Sequence, residues 1–256
     1  MTALVILVCE SVMSVTISGA YGWNLWVRFV GTYMSRLGEV CETPMNGHPR
    51  DTPGARGAHP DKQTLRRELL AVRKALPMSD VQKTEAVLAQ RAFELDALAG
   101  ARTVAAYVSV GGEPGTGALL DALRARGTRV LLPVLLADND LDWGLYEGAG
   151  SLARVQHAGR MTLLEPSGPR LGPDAVLEAD TVLLPGLAVG ADGTRLGRGG
   201  GSYDRVLARL EAADTHPCLV VLLHDHEVLA EVPAEPHDKA VDAVVTPSGA
   251  RRFPLP

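Results

Sequence analysis

Cysteine, surplus positive charge and long apolar runs are all scarce in this chain, and each shortage removes a class of protein. The three cysteines, Cys9, Cys41 and Cys218, lie far apart and are odd in number. They match no metal-ligand spacing and no disulfide framework, which points to a reducing compartment and a cytoplasmic protein. Lys and Arg total 25 against 30 Asp and Glu, a net charge of −5. That balance argues against a general nucleic-acid binder, so any basic site must be local. The apolar run Ala3–Val8 is interrupted by Glu10, and Ser, Thr, Gly and Arg28 follow before a membrane-spanning length accumulates. The first nine residues hold no Lys or Arg, unlike a signal peptide. No stable membrane insertion is expected, with a weakly membrane-associated segment as the lesser alternative. Trp23, Trp26, Phe29 and Tyr33 form an aromatic cluster to which the sequence gives no role.

Hydrophobic residues are 46% of 256, enough for a substantial core in one large or two small domains. Residues 42–61 are rich in Pro, Gly, Arg and His and read as a disordered linker. Residues 1–60 are therefore expected to be an N-terminal extension, disordered or a mis-called start, with Met34 or Met45 the true first residue in the second case. The folded domain is expected over 61–250.

The most informative stretch begins at Asp180. Thr181–Leu184 is a short apolar run closed by Pro185-Gly186, which predicts a buried strand ending at a turn. Gly197, Gly199, Gly200 and Gly201 follow, with Arg195 and Arg198 among them. Ser202-Tyr203-Asp204-Arg205 then opens a segment with Val206, Leu207 and Leu210 at helical spacing. Strand, glycine-rich loop and helix in that order suit phosphate. Glycines let backbone N–H groups turn toward an anion, and a helix start adds unpaired donors and partial positive charge. Arg195 and Arg198 add charged donor forks. Asp204 could complement the helix dipole or, beside phosphates, hold Mg²⁺. The stretch is not a Walker A loop, because no Gly-Lys-Ser/Thr closes it. A flexible surface loop is the plain alternative.

Upstream, Asp61 is a plausible N-cap for a helix to Ala75, with Leu65, Leu69, Val72 and Leu76 on one face. Lys62, Arg66 and Arg73 form a second stripe about 70° away, which reads first as a solvated basic face and second as a pocket rim. Pro77 ends this helix, and Ser79 is expected to cap another through Leu98, burying Val81, Val87, Leu88, Phe93 and Leu95. A strand over Thr103–Val108, a helix over Thr116–Arg126 capped by Thr116, and a strand over Arg129–Pro133 predict parallel pairing with a crossover helix. Ligands gather beyond the carboxyl ends of such strands, where the loop Ser109–Thr116 carries one charge, Glu113. By itself Glu113 reads as a solvated loop acid. Leu141–Tyr146 is expected to be a strand with Trp143 in the core rather than stacked on a ligand ring. Cys218–Leu223 predicts a buried strand. His224-Asp225-His226-Glu227 reads as its polar end rather than a metal site. Arg251-Arg252 is expected to be solvated tail.

Pro185-Gly186-Leu187-Ala188, Gly193, Arg195-Leu196-Gly197, Gly199-Gly200-Gly201 and Tyr203-Asp204-Arg205 together resemble the signature of the 5-formyltetrahydrofolate cyclo-ligase (methenyltetrahydrofolate synthetase) family. Weaker matches accompany it: Lys62-Gln-Thr-Leu-Arg66, Glu113 before Thr116, Leu163-Leu-Glu165-Pro166, and Pro236-His237-Asp238 before Val241–Thr246. The resemblance runs from Lys62 to about residue 247. It implies a three-layer, Rossmann-like (NagB/RpiA/CoA-transferase-like) α/β fold with a mainly parallel central sheet. It implies ATP-dependent conversion of 5-formyltetrahydrofolate to 5,10-methenyltetrahydrofolate, with ADP and phosphate released. Lys62, Arg66, Arg195, Leu196, Gly197, Arg198, Gly199, Gly200, Gly201, Ser202 and Tyr203 would then bind ATP. Val108 and Glu113 would contact the folate, and Asp204 and Asp238 would hold Mg²⁺. Arg198 and Asp204 would be the catalytic residues. His237 would tune the metal site or touch phosphate, or be a surface histidine. The expected partners are 5-formyltetrahydrofolate and ATP, with no nucleic acid and a monomer favoured.

The chain departs from the family pattern at Pro114-Gly115, at Val189-Gly190 and at Ser202, where an apolar-acidic pair, Phe-Asp and an aromatic are usual. These departures bear on the shape of the folate pocket. Two other classes stay open on sequence: a catalytically silent folate- or nucleotide-binding protein, and a sugar-phosphate isomerase of similar layout.

Overall fold

The computed structural model describes residues 61–157, 161–235 and 238–254, and the backbone of 4–9, 12–18 and 24–29. The chain divides into two units, Met1–Gly54 and Ala55–Pro256. In the first, β1 (Leu4–Cys9), β2 (Val12–Ser18) and β3 (Asn24–Phe29) pair antiparallel in that order. The expected linker and the two candidate start methionines lie outside the described residues.

The second unit opens with α1 (Lys62–Ala75), where the Asp61 carboxylate accepts from the Thr64 N–H at 2.8 Å as the expected N-cap. Leu65 and Leu69 are buried, but Val72 is 45% exposed and Arg73 takes its place inside. The apolar face thus turns by one residue, because Arg73 finds a buried carboxylate from a distant segment. α2 (Met78–Ala92) has Pro77 at its N-cap, two residues ahead of Ser79, which makes no cap. It stops at Phe93, and a separate turn, α3 (Asp96–Ala99), follows instead of one helix to Leu98. Val81, Leu88 and Leu95 are buried as expected, whereas Val87 is exposed.

β4 is shorter than predicted, Thr103–Ala105, since the chain beyond turns into the Ser109–Thr116 loop. α4 (Gly117–Ala125) follows Thr116, whose hydroxyl caps nothing on the helix and instead accepts from the Ser109 N–H at 2.9 Å. The free N–H of Ala118 is met by Glu85 Oε1 of α2 at 2.9 Å. Next come β5 (Arg129–Leu135), β6 (Leu141–Leu145), and the hairpin β7 (Leu152–His157) and β8 (Met161–Pro166). β9 (Thr181–Leu184) has the predicted bounds. A small hairpin, β10 (Ala188–Val189) and β11 (Arg195–Leu196), intervenes before α5 (Ser202–Ala212). β12 (Cys218–Leu222), β13 (Ala243–Thr246) and β14 (Gly249–Arg252) close the unit. Arg251 and Arg252 are exposed as expected, yet their backbone pairs with β13, so this segment is a strand rather than a tail.

Among the described residues, seven strands form one sheet in the order β14-β13-β12-β9-β4-β5-β6. Pairings from β13 through β5 are parallel, and β14 and β6 add antiparallel edges. Alternate residues face opposite sides. Val104, Leu183, Val220 and Leu222 pack with Leu88 of α2 and Leu120 of α4. Ala105, Val182, Leu184 and Val221 pack with Val206 and Leu210 of α5 on the other face, beside fully buried Trp143. Helices on both faces of a mostly parallel sheet give a mixed α/β architecture. β4 connects outward to β5, while β9, its other neighbour, connects toward β12. The strand order reverses between β4 and β9, where a crevice opens beyond their carboxyl ends. No described helix is long and apolar enough to cross a membrane.

Candidate functional site

That crevice is a cleft of about 300 Å³ lined from both sides. From β9 and its hairpin come Pro185 and residues 195–204; from the chain after β4 come Tyr107, Val108, Val110 and Glu113. Lys62 and Arg66 of α1 and Asp238 lie along the rim, and Pro133, Leu135, Leu141, Leu163 and Leu164 make an apolar wall. His237 falls outside the described residues.

The glycine-rich loop is shaped by backbone demands. Gly199 and Gly201 have φ of +85° and +79°, a region that side chains with a Cβ enter only under strain. Gly201 is also the residue on which α5 starts, so the left-handed turn leads straight into a helix start whose first N–H groups lack intrahelical partners, and Ser202, Tyr203 and Asp204 line the cleft. Arg195 is nearly enclosed, donating from Nη1 to the Pro185 carbonyl at 2.9 Å and lying 3.4 Å from Asp204 Oδ1 through Nη2. Burial pushes its pKa down, against the pull of Asp204, but the guanidinium stays charged. Arg66 Nε donates to the Gly197 carbonyl at 2.9 Å, so α1 braces the loop directly. Lys62 Nζ sits 2.5 Å from Asp238 and 3.1 Å from Glu235. Burial opposes its charge, yet the hydrogen bonds to Asp238 and Glu235 outweigh it and raise its pKa. The basic stripe on α1 is therefore not a solvated face: Lys62 and Arg66 reach the rim, and Arg73 is buried.

Glu113 is not a solvated loop acid either. It is 6% exposed, accepts from the Val110 N–H at 2.8 Å, and faces Arg198 Nε at 3.3 Å. Arg198, expected beside phosphate, thus bridges the glycine-rich loop to the opposite wall. Tyr107 and Tyr203 line the same cleft, and burial raises both phenol pKa values well above 10, so both remain neutral. Among the described residues, the buried side-chain polar atoms without a hydrogen-bond partner include Arg195 Nε and Tyr203 Oη, both on cleft residues.

Some cleft features have no clear sequence signal. Glu165, one of the weaker sequence matches, is buried; it accepts from the Leu135 N–H at 3.0 Å and lies 2.7 Å from His157 Nε2. It also lines the cleft. The apolar wall comes from strand ends separated by thirty residues, and only the fold brings them together. His224-Asp225-His226-Glu227 is a turn rather than an extended strand end: the two imidazoles stack 5.6 Å apart, and Glu227 is fully buried. Among the described residues, no group of three or more His, Cys, Asp or Glu could hold a metal alone.

A model of the 5-formyltetrahydrofolate cyclo-ligase family matches residues 58–247. The chain is 44% identical over 193 residues to the 5-formyltetrahydrofolate cyclo-ligase of Mycolicibacterium smegmatis, covering 73% of this chain and 93% of that protein. Identity to the Escherichia coli K12 protein of the same name is 33% over 181 residues, covering 69% and 94%. The solution structure of Aquifex aeolicus 5,10-methenyltetrahydrofolate synthetase superposes with a TM-score of 0.62 at 24% identity, covering 76% of this chain and 94% of that one. At that identity the likeness speaks to the fold.

Proposed function

This chain belongs to the 5-formyltetrahydrofolate cyclo-ligase family, and from that premise we propose how its residues convert 5-formyltetrahydrofolate to 5,10-methenyltetrahydrofolate with ATP. The observation that carries the assignment is the joining, in one cleft, of a glycine-rich anion loop and an acid-bearing, apolar-walled pocket, with Arg198 spanning the two.

The chemical problem explains the residue types. A formamide carbon is a poor electrophile, and its oxygen is a poor leaving group. Transfer of the γ-phosphoryl group to the formyl oxygen, with ADP leaving, turns that oxygen into a phosphate ester and leaves N5 iminium-like. N10 then attacks the carbon. The C–O bond breaks with its electrons going to phosphate, the N10 proton goes to solvent, and the methenyl bridge remains. The protein's work is positioning and charge neutralisation, with no covalent nucleophile. The backbone N–H groups of 197–202, Arg195 and Arg198 hold the polyphosphate, and Lys62 and Arg66 close over it. Arg195 Nε and Tyr203 Oη, buried and unpartnered, are donors suited to such a ligand. Val108, Glu113 and the apolar wall orient the reduced pterin, whose ring N–H groups suit a carboxylate acceptor.

Two carboxylates lining one cleft beside a phosphate loop fit Mg²⁺, a hard cation that takes one or two protein carboxylates and completes its shell with phosphate oxygens and water. Asp204 and Asp238 would hold it, and it would supply positive charge to offset that of the phosphate groups. Lys62 pairs with Asp238, and its ammonium would offer a charged donor to a phosphate oxygen.

The test mixes protein, ATP, Mg²⁺ and 5-formyltetrahydrofolate and follows the near-ultraviolet band of the methenyl product. The expected result is one ADP and one phosphate per product. A silent binding protein would bind both ligands without the band, and an isomerase would ignore ATP; either result rejects the proposal.

A further inference from the structure

We infer that Arg73 and Glu227 are a positioning pair that sets the distance between the phosphate loop and the folate loop; this rests on the activity proposed above. Neither residue lines the cleft. Arg73 is 3% exposed and Glu227 fully buried. Their contact is bidentate, Nε to Oε1 at 2.6 Å and Nη2 to Oε2 at 2.8 Å. The same Nη2 donates to the Gly186 carbonyl at 2.6 Å. Gly186 follows Pro185, whose carbonyl holds Arg195, so the fork anchors the root of the phosphate loop.

The other arm leads to the folate side. Glu227 Oε2 accepts from the His224 N–H at 3.0 Å, and His224 Nε2 lies 3.0 Å from the Gly112 carbonyl. Gly112 immediately precedes Glu113. It also rests on α1 at Arg73: a Cβ placed at Gly112 would lie 2.5 Å from the Arg73 carbonyl oxygen. Only glycine lets these two backbones touch. The pair therefore meets α1, which carries Lys62 and Arg66, the turn that leads to Arg195, and the loop that carries Glu113.

Filling space does not require this arrangement. An apolar pair of the same volume often packs as stably as a buried ion pair. What such a pair lacks is direction: a planar fork fixes angles to two partners at once. The function assigned to Arg73 and Glu227 is thus geometric, and a mispositioning of about 1 Å between reacting groups can cost about 100-fold in rate.

The experiment compares wild type, the apolar replacement Arg73→Met/Glu227→Leu, and Arg73→Lys in the full chain. Melting temperature, ATP affinity measured without folate, and kcat and KM for both substrates are read for each. The apolar replacement is expected to melt below wild type, because the Gly186 carbonyl and the His224 N–H lose their buried partners, yet to stay folded at assay temperature and bind ATP within about threefold, while kcat falls about 100-fold. Arg73→Lys keeps the charge but loses the fork, and is expected to lower kcat about tenfold with either KM little changed. Wild-type kcat in a folded apolar variant overturns the inference. If that variant does not fold, unchanged kcat in Arg73→Lys overturns it instead. Wild-type protein that forms no methenyl product would reject the proposed activity, a different failure from equal turnover in wild type and variants.

Discussion

Replacing Asp204 with Asn separates the fold from the chemistry. The side chain is 64% exposed in the first turn of α5, and its Oδ1 lies 3.4 Å from Arg195 Nη2. Asn has the same size, so nothing need repack. The lost charge at a helix start costs about 0.3–1 kcal/mol. The partly exposed pair with Arg195 adds up to about 1 kcal/mol. For a domain of this size, each kcal/mol shifts the melting temperature by about 2–4 °C, so a drop of a few degrees is expected. Turnover should behave differently. A charged group organising the transferring phosphoryl is worth about 3–4 kcal/mol in the transition state, or about 100- to 1000-fold in kcat. The assay is methenyl absorbance across a Mg²⁺ titration, alongside a thermal melt. Asp204→Asn should need more Mg²⁺ and turn over slowly while staying folded. Normal turnover with a normal Mg²⁺ midpoint would refute the reasoning.

Gly201→Ala should weaken ATP binding by about five- to thirtyfold, since φ of +79° strains any Cβ by about 1–2 kcal/mol even with open space around it. Gly200→Ala, with open space and no left-handed φ, should be far milder; equal effects in an ATP titration would show that the loop re-forms around the new residue. Arg198→Met and Glu113→Gln should each raise the KM for folate, and the double variant should fall short of their sum by about 1 kcal/mol, as coupled neighbours do. Strict additivity would separate the two side chains in the working enzyme. The backbone N–H of Thr103, with that of Arg102, holds the Asp180 carboxyl below its ordinary value. A folded-state pKa below the unfolded one contributes stability that is full above about pH 4 and lost as pH falls through the folded value. Asp180→Asn should therefore flatten the loss of stability below about pH 4 in chemical denaturation; an unchanged slope would reject that contribution.

How much was legible from sequence depended on whether a residue's partner was near in the chain. Thr181–Leu184 and Val220–Leu222 are buried on both faces, so each strand carries a continuous apolar run that announces itself. The glycine-rich loop was legible because its requirements are local. Arg73 and Glu227 were not: each reads as an ordinary polar residue, and their pairing across 154 positions exists only once β12 lies beside β9. That distant pairing misplaced Val72, and the burial of Glu113 depends on Arg198, which lies on a different loop far along the chain. β14 escaped because its pairing uses backbone alone, while Arg251 and Arg252 keep exposed side chains. Glu85 escaped because the Ala118 N–H it meets lies 33 positions on, across the gap between α2 and α4.

The contact between Lys62 and Asp238 joins positions 176 residues apart, and it forms one rim of the cleft. Closing so long a loop is entropically costly, and chains rich in such distant contacts fold slowly. On refolding from denaturant, sheet and helix signals should recover before ATP can be gripped. Competence would then arrive as the last event of folding, and a chain caught short of it would be compact yet inert.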